Sequence, residues 1–134
     1  MTGLFHAHSG LRFLVLLAAV SALVVCGLGL MQKKPFTKVA RILCSSFVGL
    51  LHLQVLIGLA MVFMGTWYPR LIGHLAMMLT ATVLAQVLLT VNKRSATPGY
   101  RLPLLAVGGA LLLIIGGILA IGRHPLVPTP FTGG

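Results

Sequence analysis

Two pairs of a histidine and an arginine are the residues of this sequence best suited to chemistry. His8 and Arg12 form one pair, and Arg70 and His74 form the other. In a helix, residues four apart lie on the same face, one turn from each other. Both pairs stand near the start of a long apolar segment, where an ionisable side chain is costly and is therefore a candidate functional group.

This set of side chains matches the needs of a b-type haem. Two neutral imidazoles can ligate the iron from opposite sides. Two arginines can compensate the propionates, because a guanidinium binds carboxylates through two parallel hydrogen bonds. We therefore expect His8 and His74 to be the axial ligands of the haem iron, and Arg12 and Arg70 to contact the propionates. The plainer interpretation is that both arginines extend to the lipid headgroups and that His8 is an interfacial residue without a ligand.

His52 is a third candidate for cofactor binding. It lies near the middle of its apolar segment, about 12 Å deeper than His74 at the helical rise of 1.5 Å per residue. It could be an alternative haem ligand or a quinone contact. Equally, it could be a histidine hydrogen-bonded across helices to Gln86 or Thr82. Gln54, two residues further on, is expected to point elsewhere.

Other ligand sets are possible at the same end of the segments. Imidazoles can bind zinc or copper, and four of them are expected there: His6, His8, His74 and His124. Their spacing matches no local metal motif. Met77 and Met78 could supply a thioether ligand to a haem, although methionine in an apolar helix is more often a packing residue.

Composition places the chain among integral membrane proteins. It has 134 residues, of which 58% are hydrophobic, and a mean hydropathy of +1.08. It has 10 Lys and Arg residues but no Asp or Glu, giving a net charge of +10. Mechanisms that need a protein carboxylate are therefore excluded, including paired-acid hydrolysis and a Ser-His-Asp triad. The candidate anionic partners are membrane lipids, acidic neighbouring subunits and the propionates of a haem. Nucleic acid is a poor fourth choice, because the basic residues are scattered at helix ends and form no basic face.

Four apolar segments predict an all-α fold in a single domain. They span about residues 8–31, 39–64, 70–91 and 103–122, and each is long enough to cross a bilayer as a helix. We expect the first to be retained as a transmembrane helix, and residues 123–134 to form an irregular tail. Short connections make consecutive helices antiparallel, so the prediction is an integral membrane up-down-up-down four-helix bundle. Helices 1 and 3 are then diagonal, and His8 can face His74 across the centre.

The basic residues also predict the orientation in the membrane. Seven flank the first and third connections, and three lie at the opposite end of the helices. Because cytoplasmic connections carry the excess of Lys and Arg, both termini are expected outside the cytoplasm. The expected location is a bacterial inner or other energy-transducing membrane.

Two further features favour packing over chemistry. Cys26 and Cys44 are too few for a disulfide scaffold and are expected to be free, apolar thiols. The fourth segment is rich in glycine and alanine, which allow helices to approach closely in lipid. That segment is expected to pack within the bundle or face a partner.

Three motifs in these segments resemble a known family. The stretches HSGLRF (8–13), HLQVLIGL (52–59) and HLAMM (74–78) are similar to corresponding motifs in small bacterial four-helix membrane proteins described as cytochrome b. The resemblance spans the first three helices in matching order. It implies a b-type haem and makes His8, His52 and His74 the candidate haem-binding positions.

The function expected from these observations is that of a b-type haem-binding electron-transfer subunit, passing electrons between a quinol pool and a partner. The alternative is a non-catalytic accessory subunit of a larger respiratory or photosynthetic membrane complex. Such a subunit would contact lipid, or it would bind a chlorophyll-type pigment through a histidine. A redox or accessory subunit is favoured over a stand-alone enzyme. The absence of acidic residues favours partners that complete the charge balance, whereas the two His-Arg pairs favour haem.

Overall fold

A computed structural model describes residues 2–69 and 71–122. In this part of the chain four α-helices follow one another, without strands: α1 (Thr2–Met31), α2 (Lys38–Phe63), α3 (Leu71–Arg94) and α4 (Arg101–Ala120). All four are long and apolar enough to span a membrane. The predicted all-α membrane bundle is therefore confirmed.

The helix bounds differ from the expected ones mainly at the start of α1. This helix begins at Thr2 rather than at residue 8, because His6 and His8 lower the local hydropathy without interrupting the helical hydrogen bonds. At the start of α2 the hydroxyl of Thr37 accepts a hydrogen bond from the backbone N–H of Ala40, at 3.2 Å. The tail predicted for residues 123–134 lies outside the described residues.

The helices form a ring in which each packs against its neighbours in sequence, and α4 packs against α1. The helix pairs α1–α2 and α3–α4 make the closest contacts, whereas α2 and α3 touch less. Across the ring α2 reaches α4, but the described residues of α1 and α3 make no backbone contact. Space between α1 and α3 is therefore left for side chains or a ligand.

The core combines small and large side chains. Completely buried alanines line the helix contacts and allow the backbones to approach closely: Ala19, Ala22, Ala40, Ala81, Ala85, Ala106 and Ala110. Phe47, Leu51 and Val107 fill the remaining volume. Many large apolar side chains point outwards, for example Leu17, Leu56 and Leu112. This exposed apolar surface suits contact with lipid.

Candidate functional site

A cavity of about 480 Å³ lies at one end of the bundle, where α1 and α3 begin and where α2 and α4 end. We call this end the histidine end. Apolar side chains from all four helices form most of its wall, and such a wall is typical of small-molecule and cofactor sites. The polar and aromatic residues that line it are Phe5, His8, Ser9, Arg12, Gln54, Thr66, Trp67, Tyr68 and His74.

The structure brings His8 and His74 together across the diagonal of the bundle. Their ring centroids are 6.4 Å apart, and the ring planes are inclined by 79°. Two imidazole nitrogens on opposite sides of one metal ion, each about 2 Å from it, would be about 4 Å apart. Each centroid lies about one ring radius further out, so the observed centroid separation equals that of two imidazoles whose nitrogens share one metal ion.

His74 is held by α4. Its Nδ1 lies 3.0 Å from the backbone carbonyl oxygen of Gly117. A carbonyl oxygen can only accept, so Nδ1 carries the proton and the lone pair of the neutral ring is on Nε2. Histidine ligands of metals usually make such a hydrogen bond with the nitrogen that does not bind the metal. His74 is therefore in the tautomer that an axial ligand requires.

Gly117 also leaves the space that this contact needs. A Cβ atom at position 117 would lie 2.6 Å from Cε of Met78 and 3.3 Å from Cβ of Met77. It would lie 3.6 Å from Nδ1 of His74. The missing side chain thus lets α3 approach the α4 carbonyl. The sequence shows Gly117 only as one of several glycines in α4, and no sequence signal marks its carbonyl as an acceptor.

His8 is held on the other side of the cavity by α2. Its ring packs on Gly58, where a Cβ atom would lie 3.1 Å from Cε1 of His8. Nδ1 of His8 is buried and has no hydrogen-bond partner among the described residues. A buried nitrogen without a partner is costly, so it needs either a ligand or an explanation. The ring separation alone would also suit ordinary edge-to-face packing, but such packing leaves this nitrogen unsatisfied.

Gln54 belongs to the site, although it was expected to point elsewhere. Its Nε2 donates a hydrogen bond of 2.6 Å to the backbone carbonyl of His8, and its Oε1 is buried without a partner among the described residues. Residues two apart on a helix point in nearly opposite directions, so only one of His52 and Gln54 can face the centre. The useful sequence signal was Gly58, which lies on the same face as Gln54 and one turn further on.

His52 lies apart from this cavity. It is exposed on the outer surface, and its Nε2 is 2.9 Å from Oε1 of Gln86. Gln86 in turn donates to the hydroxyl of Thr90, also at 2.9 Å. The contact to Gln86 is one of the two cross-helix hydrogen bonds considered from the sequence.

Arg12 lies beside His8 in the cavity wall and is 8% exposed. Its guanidinium lies 4.7 Å from the centroid of the Phe13 ring, a favourable cation–π arrangement. Because the chain has no Asp or Glu, no acidic side chain of its own can balance this buried charge. Arg70, the expected counterpart on α3, lies outside the described residues.

The other possible ligands contribute less. Met78 lines the cavity, whereas Met77 is 36% exposed and does not. His6 is exposed, and His124 lies outside the described residues. Within residues 2–69 and 71–122 no three His, Cys, Asp or Glu side chains group as metal ligands. Cys26 and Cys44 are free, buried thiols with their sulfur atoms 3.8 Å apart near the opposite end of the bundle, as expected.

The donor set therefore fits a haem with two histidine ligands. His74 presents Nε2 because Gly117 holds its other nitrogen, and His8 has an unsatisfied ring nitrogen at the same cavity. Two imidazoles are too few for a structural zinc site, which takes four protein ligands. They are sufficient for a metal whose remaining ligands come from a porphyrin.

Comparison with known proteins gives no indication of function, so the proposed function depends on the geometry of the site. No protein-family model matches this chain, no curated protein matches it, and no solved structure matches its fold.

Proposed function

We propose that the chain binds one b-type haem between His8 and His74 and works as a membrane electron-transfer subunit. The observation that carries this proposal is the pair of facing imidazoles, 6.4 Å apart, one of which is fixed by Gly117 in the tautomer of a metal ligand. The same function is implied by the resemblance of the histidine motifs to those of cytochrome b-like proteins.

The chain supplies the ligands and holds them in place before the cofactor arrives. His74 would bind through Nε2, with the Gly117 carbonyl increasing the basicity of the ring. His8 would bind from α1, with its ring supported by Gly58 and its backbone held by Gln54. Haem iron, when bound, alternates between the ferrous and ferric states and so carries one electron.

Arg12 has an electrostatic role in this proposal. A guanidinium held in a low-dielectric cavity attracts carboxylates strongly, and the propionates would supply the negative charge that the chain lacks. The positive charge of Arg12 would also disfavour the ferric state of a bound haem relative to the ferrous state and so would raise its reduction potential. Arg70, the second arginine predicted from the sequence, would take the same part.

The proposed location of the chain is an energy-transducing bacterial membrane. Seven of the ten basic residues lie in or next to the first and third connections, so the histidine end and both termini would face away from the cytoplasm. A haem near that surface can exchange electrons with a quinol or with another subunit. Partner subunits would also supply the acidic groups that the chain does not have.

A redox titration tests the electron-transfer function. The full chain, purified with its haem or supplied with haem in detergent, should bind one haem per chain and titrate in a single reversible one-electron step. The change is followed by visible absorbance against an electrode potential. A chain that binds haem but shows no reversible step would contradict electron transfer and favour an accessory role.

A further inference from the structure

A second cavity, shallow and open to the surface, lies at the opposite end of the bundle, which we call the basic end. There the connection of residues 32–37 joins α1 to α2, and the connection of residues 95–100 joins α3 to α4. The cavity measures about 420 Å³, and three cationic side chains line it: Lys33, Lys34 and Arg101. The polar residues Asn92, Ser95 and Thr97 also line it. No acidic side chain exists in the chain to neutralise the cations.

The two connections that form this cavity are fixed to each other. The hydroxyl of Tyr100 donates to the carbonyl of Pro35 at 2.8 Å and accepts from the backbone N–H of Thr37 at 3.2 Å. The Tyr100 ring is 4% exposed and packs so closely on Gly29 that a Cβ atom there would overlap it. Oδ1 of Asn92 accepts from the N–H of Gly99 at 3.1 Å. The cations are therefore attached to a rigid frame.

The backbone at Lys33 is unusual for a lysine. Lys33 has a φ of 53°, in the left-handed region, at the position just past the end of α1. The backbone N–H of Lys34 donates to the carbonyl of Gly29, and that of Lys33 donates to the carbonyl of Leu30. This pair of hydrogen bonds is the motif that normally ends a helix with glycine. At the end of α2 the same motif does use a glycine, Gly65, with a φ of 106°. Lysine is thus tolerated at Lys33 at a conformational cost.

The start of α4 adds positive potential to the cavity. Arg101 and Leu102 are its first two residues, and both line the cavity. The preceding residue, Tyr100, makes no side-chain capping hydrogen bond to α4. The first N–H groups of a helix lack partners within it and carry the positive end of its dipole. These groups reinforce the field of the three cations.

We infer that this cavity binds the phosphodiester headgroup of an anionic phospholipid. The cavity stands where α1 ends and α4 begins, which is the level of the headgroups for helices that cross a bilayer. Leu30 and Leu102 line it as well, and next to them Met31 and Leu105 are 80% and 62% exposed on the lipid-facing surface. An acyl chain can follow this apolar surface from a headgroup held by the cations. Inorganic phosphate has no acyl chain and would make no contact with this apolar surface.

The test measures lipid retention by the full chain. Phosphatidylglycerol is titrated onto the protein in neutral detergent, phosphatidylcholine serves as the neutral lipid, and bound lipid is counted by native mass spectrometry. Arg101→Gln and Lys34→Gln should each weaken phosphatidylglycerol binding about fivefold, the expected contribution of one cation at a membrane surface. Lys93→Gln is the matched control, since Lys93 is a cation at the same end that does not line the cavity.

Lys33→Gly separates binding from folding. Glycine suits a φ of 53° better than lysine does, so this variant should unfold at a higher temperature and yet bind phosphatidylglycerol about fivefold more weakly. Loss of affinity in a stabilised protein cannot come from misfolding.

Three results would overturn the inference. The first is equal loss of affinity in Lys93→Gln and Arg101→Gln, which would show a diffuse charge effect. The second is equal retention of phosphatidylcholine and phosphatidylglycerol. The third is displacement of bound phosphatidylglycerol by an equal concentration of inorganic phosphate, which would assign the cavity to the free anion.

Discussion

Replacing His74 by alanine is expected to remove haem from the protein altogether. The variant loses one axial ligand and also the ring that α4 holds ready through the Gly117 carbonyl. His8→Ala should have the same effect or leave a weak, broadened high-spin spectrum, because His74 remains correctly oriented without it. The measurement is the visible spectrum of each variant after purification, with the haem content determined per chain.

His52→Ala is the matched control for these variants. It also removes one imidazole from a membrane-spanning helix, but His52 lies on the outer surface and bonds to Gln86 rather than lining the cavity. This variant should keep its haem and its low-spin spectrum. If His52→Ala loses the haem while His8→Ala keeps it, the ligands are His52 and His74 and the assignment of His8 is wrong.

Replacing Gly58 by leucine is expected to weaken haem binding strongly while the bundle still folds. A Cβ atom at position 58 would already lie 3.1 Å from Cε1 of His8, and the rest of a leucine side chain would take the space of the imidazole. The ring must then turn away from the cavity. Changes to groups that orient a metal ligand typically cost between about tenfold and a hundredfold in metal affinity. Haem titration followed by absorbance gives the affinity.

Gly49→Leu is the control for this substitution. Gly49 is in the same helix, and a Cβ atom there would meet nothing within 4 Å. Both variants introduce the same residue into α2, so a general effect on helix formation or membrane insertion would appear in both. Equal haem affinity in Gly58→Leu and Gly49→Leu would contradict the role of Gly58 in supporting His8.

The architecture of the bundle could be predicted from hydropathy and the short connections alone. Segments of about twenty apolar residues have few alternatives to membrane-spanning helices, and short connections make neighbours antiparallel. This reasoning also placed His8 and His74 on diagonal helices near one end. In the structure the centroids of their imidazole rings are 6.4 Å apart.

The rotation of each helix about its axis could not be predicted. In soluble proteins an apolar stripe shows which face is buried, but these helices are apolar on every side. From the sequence, His52 rather than Gln54 was therefore expected to face the site. The hydrogen bond from Gln54 on α2 to the His8 carbonyl on α1 shows that Gln54 is the inward-facing residue. Gly58 marks the same face of α2 as Gln54, but its contact with the His8 ring could not be predicted, because that ring belongs to another helix.

The backbone hydrogen-bond acceptors and the turn geometry also could not be predicted from the sequence. The carbonyl of Gly117 fixes the tautomer of His74, and every residue carries such a carbonyl, so the sequence distinguishes none of them. Lys33 occupies a left-handed position where glycine is expected, and a search for glycine at helix ends passes over it.

The reduced-minus-oxidised visible spectrum of the wild-type chain, purified from its membrane, tests the central claim most directly. Two imidazole ligands give a low-spin haem, so we expect the sharp bands of a b-type cytochrome, with one haem for each 14.2 kDa chain. A featureless spectrum from folded, haem-supplied protein would contradict the haem site between His8 and His74 and leave the chain as an accessory subunit.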